Sequence, residues 1–157
     1  MFITAPWLPD TFPRRLMIQI RRATASDHPE LARIFLSVRR ETFDWCDPSS
    51  FALEDFSIQT TGEVIYLAHD ADERILGFIS VWEADGFVHH LYVVKERQGE
   101  GIGTSLLRSL HPWLPLPYRL KCLTANSAAR GFYSKHGWQD IATGSDPLGD
   151  YALMELA

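Results

Sequence analysis

The chain is poor in the residues that define several classes of protein. It has two cysteines, Cys46 and Cys122, among 157 residues, which is too few for a framework of disulfide bonds. No apolar stretch approaches the roughly 20 residues that a membrane-spanning helix needs. We therefore expect a soluble protein of a reducing compartment, with the cytoplasm as its location.

Basic residues are also few, and they are scattered. Lysine and arginine number 15 against 20 aspartates and glutamates, which gives a formal net charge of −5. A surface that holds nucleic acid or an anionic membrane needs clustered positive charge, and the sequence has no such block. Apart from His89 and His90, the histidines show no spacing that would assemble a metal site. These absences favour a compact substrate and predict no nucleic acid, no membrane and no metal.

A chain of this length can bury one hydrophobic core. Residues 1–16 contain three prolines and have no helical or strand period, whereas a strand pattern begins directly after Met17. We predict a single domain over residues 17–157. It is preceded by an extension, residues 1–16, that is either a flexible or docked arm or a mis-assigned start.

The hydrophobic pattern predicts a mixed order of elements. Period-two alternation and β-forming residues predict strands at residues 18–23, 64–68, 75–82, 87–94, 118–123, 138–142 and 150–156. Apolar residues at helical spacing, with capping residues, predict helices at residues 28–38, from 49 or 50 to 59, and at 102–110 and 126–136. In the strand at 87–94, alternation places His89 with Leu91 on one face and His90 with Tyr92 on the other. Only one of the two histidines should then face a given site.

A glycine-rich loop lies between the strand at 87–94 and the helix at 102–110. Glycines at 99, 101 and 103 remove the Cβ atoms that would keep a phosphate from the backbone, and the first N–H groups of the helix point outward. The spacing predicts an anion-binding loop, with a plain flexible turn as the alternative. A dinucleotide-binding loop would need glycine in place of Thr104, and a nucleotide P-loop would need a lysine before it.

Two ordered motifs resemble those of the GNAT N-acetyltransferase superfamily. Residues 91–107 are similar to its pyrophosphate-binding motif, in which Gln or Arg followed by x-x-Gly-x-Gly/Ala comes after a strand; here Gln98, Gly101 and Gly103 occupy those positions. Residues 126–138 are similar to its Asn-x-x-Ala-x-x-Phe-Tyr-x-x-x-Gly-Phe segment, with Trp138 in place of the final Phe. The resemblance covers about residues 17–157.

This resemblance implies an α+β fold in which a mixed, mostly antiparallel sheet is split into a V and flanked by about four helices. It also implies an acetyltransferase that uses acetyl-CoA as cosubstrate and an amine as acceptor. The acceptor's identity and the oligomeric state, including a homodimer, stay open. The implied cofactor-binding residues are Leu91, Tyr92, Val93, Gln98, Gly99, Glu100, Gly101, Ile102, Gly103, Thr104, Asn126 and Phe132.

Two catalytic roles follow from the same resemblance. Tyr133 matches the family's tyrosine that protonates the departing CoA thiolate. Without the resemblance, its place on an apolar helix would assign it to the core. His89 stands four residues before Val93, where relatives with a catalytic residue on this strand carry it. Glu83, His90 or a water chain are the alternative bases, and His89 as a hydrogen-bonded spectator is another interpretation.

Four aromatic residues, Phe43, Trp45, Phe51 and Trp82, stand in segments that wall the acceptor site in this family, but such residues more often belong to the core. Two other functions also stay open, namely a non-catalytic module that senses acyl-CoA and a transferase that uses a longer acyl-CoA.

Overall fold

The computed structural model describes residues 17–157, and the predicted extension over residues 1–16 lies outside them. The described part forms seven strands and four α-helices. The strands are β1 (Gln19–Arg22), β2 (Val64–His69), β3 (Ile75–Trp82), β4 (Phe87–Val93), β5 (Tyr118–Leu123), β6 (Gln139–Asp146) and β7 (Gly149–Leu156). The helices are α1 (His28–Thr42), α2 (Asp55–Gln59), α3 (Ile102–Arg108) and α4 (Ser127–Lys135). Across residues 17–157, no helix is long and apolar enough to cross a membrane.

The strands form one sheet in the order β1-β2-β3-β4-β5-β7-β6. Every neighbouring pair is antiparallel except β4 and β5, which are parallel and are in register only at Phe87 and Arg119. Past this point β5 pairs with β7 along its whole length, and the edge of β4 that faces β5 is left unpaired. The predicted fold, a mostly antiparallel sheet split into a V and flanked by four helices, is confirmed.

Two buried clusters hold the sheet and its helices together. One packs α1 and α2 against β2 and β3 and includes Leu31, Phe35, Phe56, Leu67 and Phe78. The other lies beneath α3 and α4 and includes residues such as Leu106, Leu110, Tyr118 and Met154. Each fully buried side chain of this size stabilises the fold by about 1.5–3 kcal/mol relative to an exposed one. The second cluster also includes Ala68, Leu76 and Ile79, so β2 and β3 are packed on both faces and this cluster continues to β5 and β7.

The helix predicted from residue 49 or 50 to residue 59 is shorter than expected. Residues Pro48–Ser50 form a single 3-10 turn, in which the Asp47 side chain accepts a hydrogen bond from the Ser49 N–H at 2.9 Å. Phe51 is extended, and its buried ring lies 4.5 Å from the Arg39 guanidinium. Because this contact across the fold fixes Phe51 outside the helical region, α2 begins only at Asp55.

A β-bulge in β4 contradicts the predicted alternation of the two histidines. Ser80 of β3 pairs with His90, but the next residue, Val81, pairs with Val88, so that His89 is an extra residue in β4. Bulges of this kind bend the strand and re-aim a side chain. The two imidazoles stack with ring centroids 3.9 Å apart. His89 and His90 therefore do not lie on opposite faces of the strand.

Asp27 fastens the turn between β1 and α1. Its carboxylate accepts hydrogen bonds from the Arg21 guanidinium at 2.8 and 2.9 Å and from the Thr24 N–H at 2.8 Å. The hydrogen bonds from Arg21 hold the pKa of Asp27 well below its ordinary value, and the Thr24 N–H adds to the effect in the same direction. Since the pKa is lowered in the folded state, the unfolded chain takes up this proton first as the pH falls.

We predict that Asp27→Asn lowers the free energy of unfolding at pH 7 by about 1–3 kcal/mol, because hydrogen bonds to an ionised group are lost. The difference in free energy of unfolding between wild type and variant should be full above about pH 4, near the ordinary aspartate pKa. It should shrink as the pH falls further. Urea denaturation of both proteins between pH 3 and pH 7 measures the difference. A difference that stays constant over this range would contradict the assignment.

Candidate functional site

Two cavities meet where β4 and β5 separate. The first, called here the loop cavity, has a volume of about 570 Å³ and is lined by the end of β4, the glycine-rich loop, the start of α3 and one side of α4. The second, called here the inner cavity, has a volume of about 490 Å³ and lies between β4, β5 and the turn that joins β6 to β7. The residues that line both are Leu91, Tyr92, Asn126, Ala129 and Tyr133.

The structure brings nearly all of the predicted cofactor-binding residues to the loop cavity. They are Leu91, Tyr92, Val93, Gln98, Gly99, Gly101, Ile102, Gly103, Thr104, Asn126 and Phe132. Glu100 is the exception, because its carboxylate accepts a hydrogen bond from Arg97 Nε at 3.0 Å and does not line the cavity. Asn126 also caps α4, accepting a hydrogen bond from the Ala129 N–H at 3.2 Å.

Glycine is needed in the loop for two different physical reasons. Gly99 and Gly101 have φ values of +80° and +84°, and a Cβ at either position would meet no protein atom within 4 Å. Backbone conformation, rather than packing, therefore requires glycine there. A Cβ on Gly103 would lie 3.3 Å from Phe132 Cζ, so that this glycine lets α3 approach α4. The Gln98 amide donates to the Val93 carbonyl at 3.0 Å and fastens the loop to the end of β4.

Three further ionisable residues line the loop cavity, and the sequence motifs did not predict them. They are Arg97, Lys135 and His136. His136 connects the two helices, since its Nδ1 lies 2.8 Å from the Phe132 carbonyl oxygen and its Nε2 lies 2.8 Å from Thr104 Oγ1. The carbonyl can only accept, so Nδ1 donates and Nε2 accepts from the Thr104 hydroxyl. Lys135 and His136 occupy variable positions of the second motif, where the sequence carries no signal.

Tyr133 lies at the junction of the two cavities. It is 9% exposed and packs edge-on against Phe132 and Trp138, with centroids 5.3 and 5.6 Å away. Burial strongly raises the pKa of its hydroxyl, with smaller contributions from Cys122 and Tyr92. The side chain is therefore an uncharged phenol at physiological pH, available as a proton donor to a group in either cavity.

His89 lines the inner cavity and is held by a residue that the sequence reasoning missed. Its Nδ1 lies 2.5 Å from Oε1 of Glu63, which directly precedes β2. The other carboxylate oxygen of Glu63 accepts a hydrogen bond from the Ser80 hydroxyl. Glu63 and His89 are 26 residues apart, so only the register of the β2–β3–β4 meander could have identified this pair.

His90 lines the same cavity in a different electrostatic environment. It is 7% exposed, and its Nε2 has no hydrogen-bond partner within the described part of the chain. Burial, followed by the charges of His89 and Arg39, lowers the pKa of His90 well below 6.5. The buried Arg39 guanidinium lies 4.7 Å from the centre of the Phe35 ring, and Nη1 is 3.4 Å from Asp55. His90 therefore stays neutral beside a buried cation.

Glu63, His89 and His90 also bring three atoms of metal-ligand type within 4.8 Å of one another. A metal ion binds a histidine along a nitrogen lone pair, in the plane of the ring. The two rings are stacked with centroids 3.9 Å apart and 27° between their planes, so an ion at bonding distance cannot lie in both ring planes. Glu63 is already engaged by His89 and Ser80, and we assign the cluster to hydrogen bonding.

The other candidates from the sequence are dispersed. Glu83 lies in the turn between β3 and β4 and lines neither cavity. Of the four aromatic residues, Phe43 lines the inner cavity and Phe51 is in the core. Trp45 donates its Nε1–H to the Leu148 carbonyl at 3.0 Å and so connects the chain after α1 to the β6–β7 turn. Trp82 is 44% exposed and lies outside both cavities.

Comparison with known proteins gives a family and a fold. Residues 61–140, about half of the chain, match the family model of the GNAT acetyltransferase domain. A search of curated proteins finds no significant match.

Among solved structures, a GCN5-related N-acetyltransferase from Rhodopseudomonas palustris superposes with a TM-score of 0.74 at 18% identity, over 88% of this chain and 94% of that one. PaiA N-acetyltransferase from Thermoplasma acidophilum, in complex with coenzyme A, gives 0.65 at 21% identity over 88% and 97%. Spermidine N-acetyltransferase from Vibrio cholerae, in complex with CoA and spermine, gives 0.65 at 15% identity over 89% and 95%. At these identities the likeness establishes the fold.

The environment of His90 predicts its titration. Because burial lowers its pKa, the ring should remain neutral as the pH falls through 6.5, and its Cε1–H chemical shift should stay constant where an ordinary histidine titrates. The unfolded chain binds this proton near pH 6.5, so the contribution of His90 to stability is present above that pH and is lost as the pH falls. NMR titration, with the resonance assigned by His90→Gln, measures the shift. A midpoint near pH 6.5 would contradict the described burial.

Proposed function

Because the chain belongs to the GNAT acetyltransferase family, we propose that it is an N-acetyltransferase that transfers an acetyl group from acetyl-CoA to a primary amine of a small molecule or peptide. The observation that carries this proposal is the meeting of two cavities at Tyr133, one for each substrate. The CoA and the spermine present in the structures of two similar proteins support a CoA thioester as donor and an amine as acceptor.

The loop cavity suits the donor. An extended pantetheine arm has amide groups that can pair with the unpaired edge of β4 at residues 91–93, as an added strand would. Its pyrophosphate would then reach the N–H groups of residues 98–104, which are left open by Gly99 and Gly101. Lys135, which lines the same cavity, adds positive charge toward the phosphates; Arg97 lines it as well, paired with Glu100 at 3.0 Å. The acetyl group would lie at the junction with the inner cavity.

The inner cavity suits the acceptor. The ammonium group of the acceptor gives one proton to His89, and the neutral nitrogen attacks the thioester carbonyl carbon. The tetrahedral intermediate collapses, the C–S bond breaks, and the sulfur takes the proton of the Tyr133 hydroxyl. The second proton shed by the nitrogen as it becomes an amide returns to the tyrosine through solvent. The products are the acetylated amine and free CoA thiol.

Cys122 bears on whether the transfer is direct. Its thiol is buried and lines the inner cavity, and burial raises its pKa to about 11. The thiolate is the nucleophilic form of cysteine and is scarce at neutral pH in this environment. We therefore propose direct attack in a ternary complex, without an acetyl-cysteine intermediate.

The test is a screen of primary amines with acetyl-CoA, with release of CoA thiol as the readout. Thiol release that depends on an amine, with the acetylated product seen by mass spectrometry, supports the proposal. Thiol release only with a longer acyl-CoA would mean that this acyl-CoA, and not acetyl-CoA, is the donor. Binding of acetyl-CoA without release for every amine would favour a module that senses acyl-CoA.

We predict that Tyr133→Phe lowers kcat by about 10²-fold or more with nearly unchanged affinity for acetyl-CoA, because the ring and its packing remain and only the proton donor is lost. Steady-state kinetics and calorimetric titration measure the two quantities. Tyr66→Phe is the matched control, since Tyr66 stacks on Trp113 outside both cavities. Equal kcat for Tyr133→Phe and wild type would remove Tyr133 from the mechanism.

We predict that Gly101→Val removes most of the affinity for acetyl-CoA. The new side chain projects from a loop whose φ at this residue is +84°, where a β-branched residue costs about 1–3 kcal/mol in strain, and it occupies the space proposed for the pyrophosphate. Gly131→Val is the control, since a Cβ on Gly131 also meets nothing within 4 Å but the residue lines neither cavity. Calorimetry that gives equal affinities for both variants would exclude the loop as the pyrophosphate site.

A further inference from the structure

We propose that Glu63 is a positioning residue that holds the Nδ1–H of His89, so that the Nε2 lone pair of His89 faces the acceptor amine. This inference rests on the proposed acetyl transfer and adds a carboxylate–imidazole dyad to it. The reaction needs a neutral imidazole with a free lone pair on the side of the cavity. The question is what fixes that tautomer.

The contact between the two side chains determines which nitrogen carries the proton. His89 Nδ1 is 2.5 Å from Glu63 Oε1, and the Glu63 side chain is 5% exposed whereas that of His89 is 38% exposed. An ionised carboxylate only accepts hydrogen bonds, so Nδ1 must be the donor. In a neutral ring the lone pair then lies on Nε2. His89 lines the inner cavity with its partly exposed side chain.

A buried carboxylate is costly unless hydrogen bonds satisfy it. Glu63 has two such partners, His89 on one oxygen and the fully buried Ser80 hydroxyl on the other. Ser80 fixes the carboxylate from β3 and leaves the second oxygen for the imidazole. The bulge at His89 is part of this arrangement, because it brings the ring toward Glu63 while stacking it on His90.

Other ionisable groups face His89 from the surrounding elements. Those of the inner cavity are Arg39 on α1, His90 and Tyr92 on β4, Lys121 and Cys122 on β5, Tyr133 on α4 and Asp146 at the end of β6. Two of them are cations, and the nearest ring, His90, is held neutral. Asp146 is the one carboxylate among them, and it stands on β6, a strand that does not neighbour β4. Glu63 is therefore the carboxylate that can stabilise a protonated His89 by direct contact.

The decisive variant is Glu63→Gln, which keeps the shape of the side chain and removes its charge. With an amine that the enzyme acetylates, kcat/KM should fall by about 10–100-fold, the size of effect that loss of the hydrogen-bond partner orienting a functional histidine has in other sites. The acidic limb of the pH profile should move to lower pH, because a protonated His89 loses its anionic partner. The KM for acetyl-CoA should change little. A purely structural role for Glu63 would not move the pH profile.

Two further variants sharpen the comparison. Glu63→Asp keeps the charge but shortens the side chain by one methylene, so the acidic limb should return toward its wild-type position while the rate recovers only in part. Glu30→Gln makes the same change in an ion pair on α1 that lines neither cavity, where Glu30 contacts Arg33 at 2.6 Å. This control should leave the rate and the pH profile unchanged.

The tautomer of His89 can also be measured directly in the wild-type protein, without turnover. Long-range ¹⁵N–¹H spectra at pH 8 distinguish the two neutral tautomers of histidine, and His89 should have its proton on Nδ1. In Glu63→Gln, the population should move toward the Nε2–H form. An Nε2–H tautomer in the wild type, or kinetics and tautomer unchanged by Glu63→Gln, would overturn the proposal. If no amine is acetylated but the Nδ1–H tautomer is found, the proposed function fails and the dyad stands.

Discussion

The feature on which the rest of the structure depends is the single point of contact between two parallel strands. β4 and β5 are in register only at Phe87 and Arg119, and beyond it β4 has an edge of N–H and C=O groups without a neighbouring strand. Buried backbone groups require partners, so an opening of this kind is stable only where water or a ligand can enter. Both cavities begin there, and under the proposed function the same opening would admit donor and acceptor.

The opening is kept by packing of the sheet and by two hydrogen bonds at the rims of the cavities. α1 and α2 pack against β2 and β3, whereas β5 is paired along its length with β7. Across the inner cavity, the hydrogen bond from Trp45 to Leu148 joins the two sides at the surface. Between the helices that line the loop cavity, His136 and Thr104 form a second connection. These bonds set the width of the site and leave its interior open.

Local constraints explain what could be predicted from the sequence. The loop requires glycine at residues 99 and 101 because φ is positive there, and such a requirement is visible in a motif. Tyr133 and Asn126, which caps the same helix, lie close together in the sequence, so a single motif contains both. The bulge at His89, the pairing with Glu63 and the late start of α2 depend on strand register or on distant contacts, such as that between Phe51 and Arg39. No spacing along the chain carries that information.

Burial acts in the same sense on three ionisable groups of the site. Tyr133 and Cys122 have raised pKa values and His90 has a lowered pKa, so burial keeps all three in their neutral forms. A neutral tyrosine can give a proton, but a buried thiol and a buried imidazole beside Arg39 are poor proton acceptors. His89 differs because it is partly exposed and contacts a carboxylate. In the proposed transfer His89 would therefore be the proton acceptor among these groups, with the Glu63 carboxylate at Nδ1 and the bulge in β4 together setting the position of its ring.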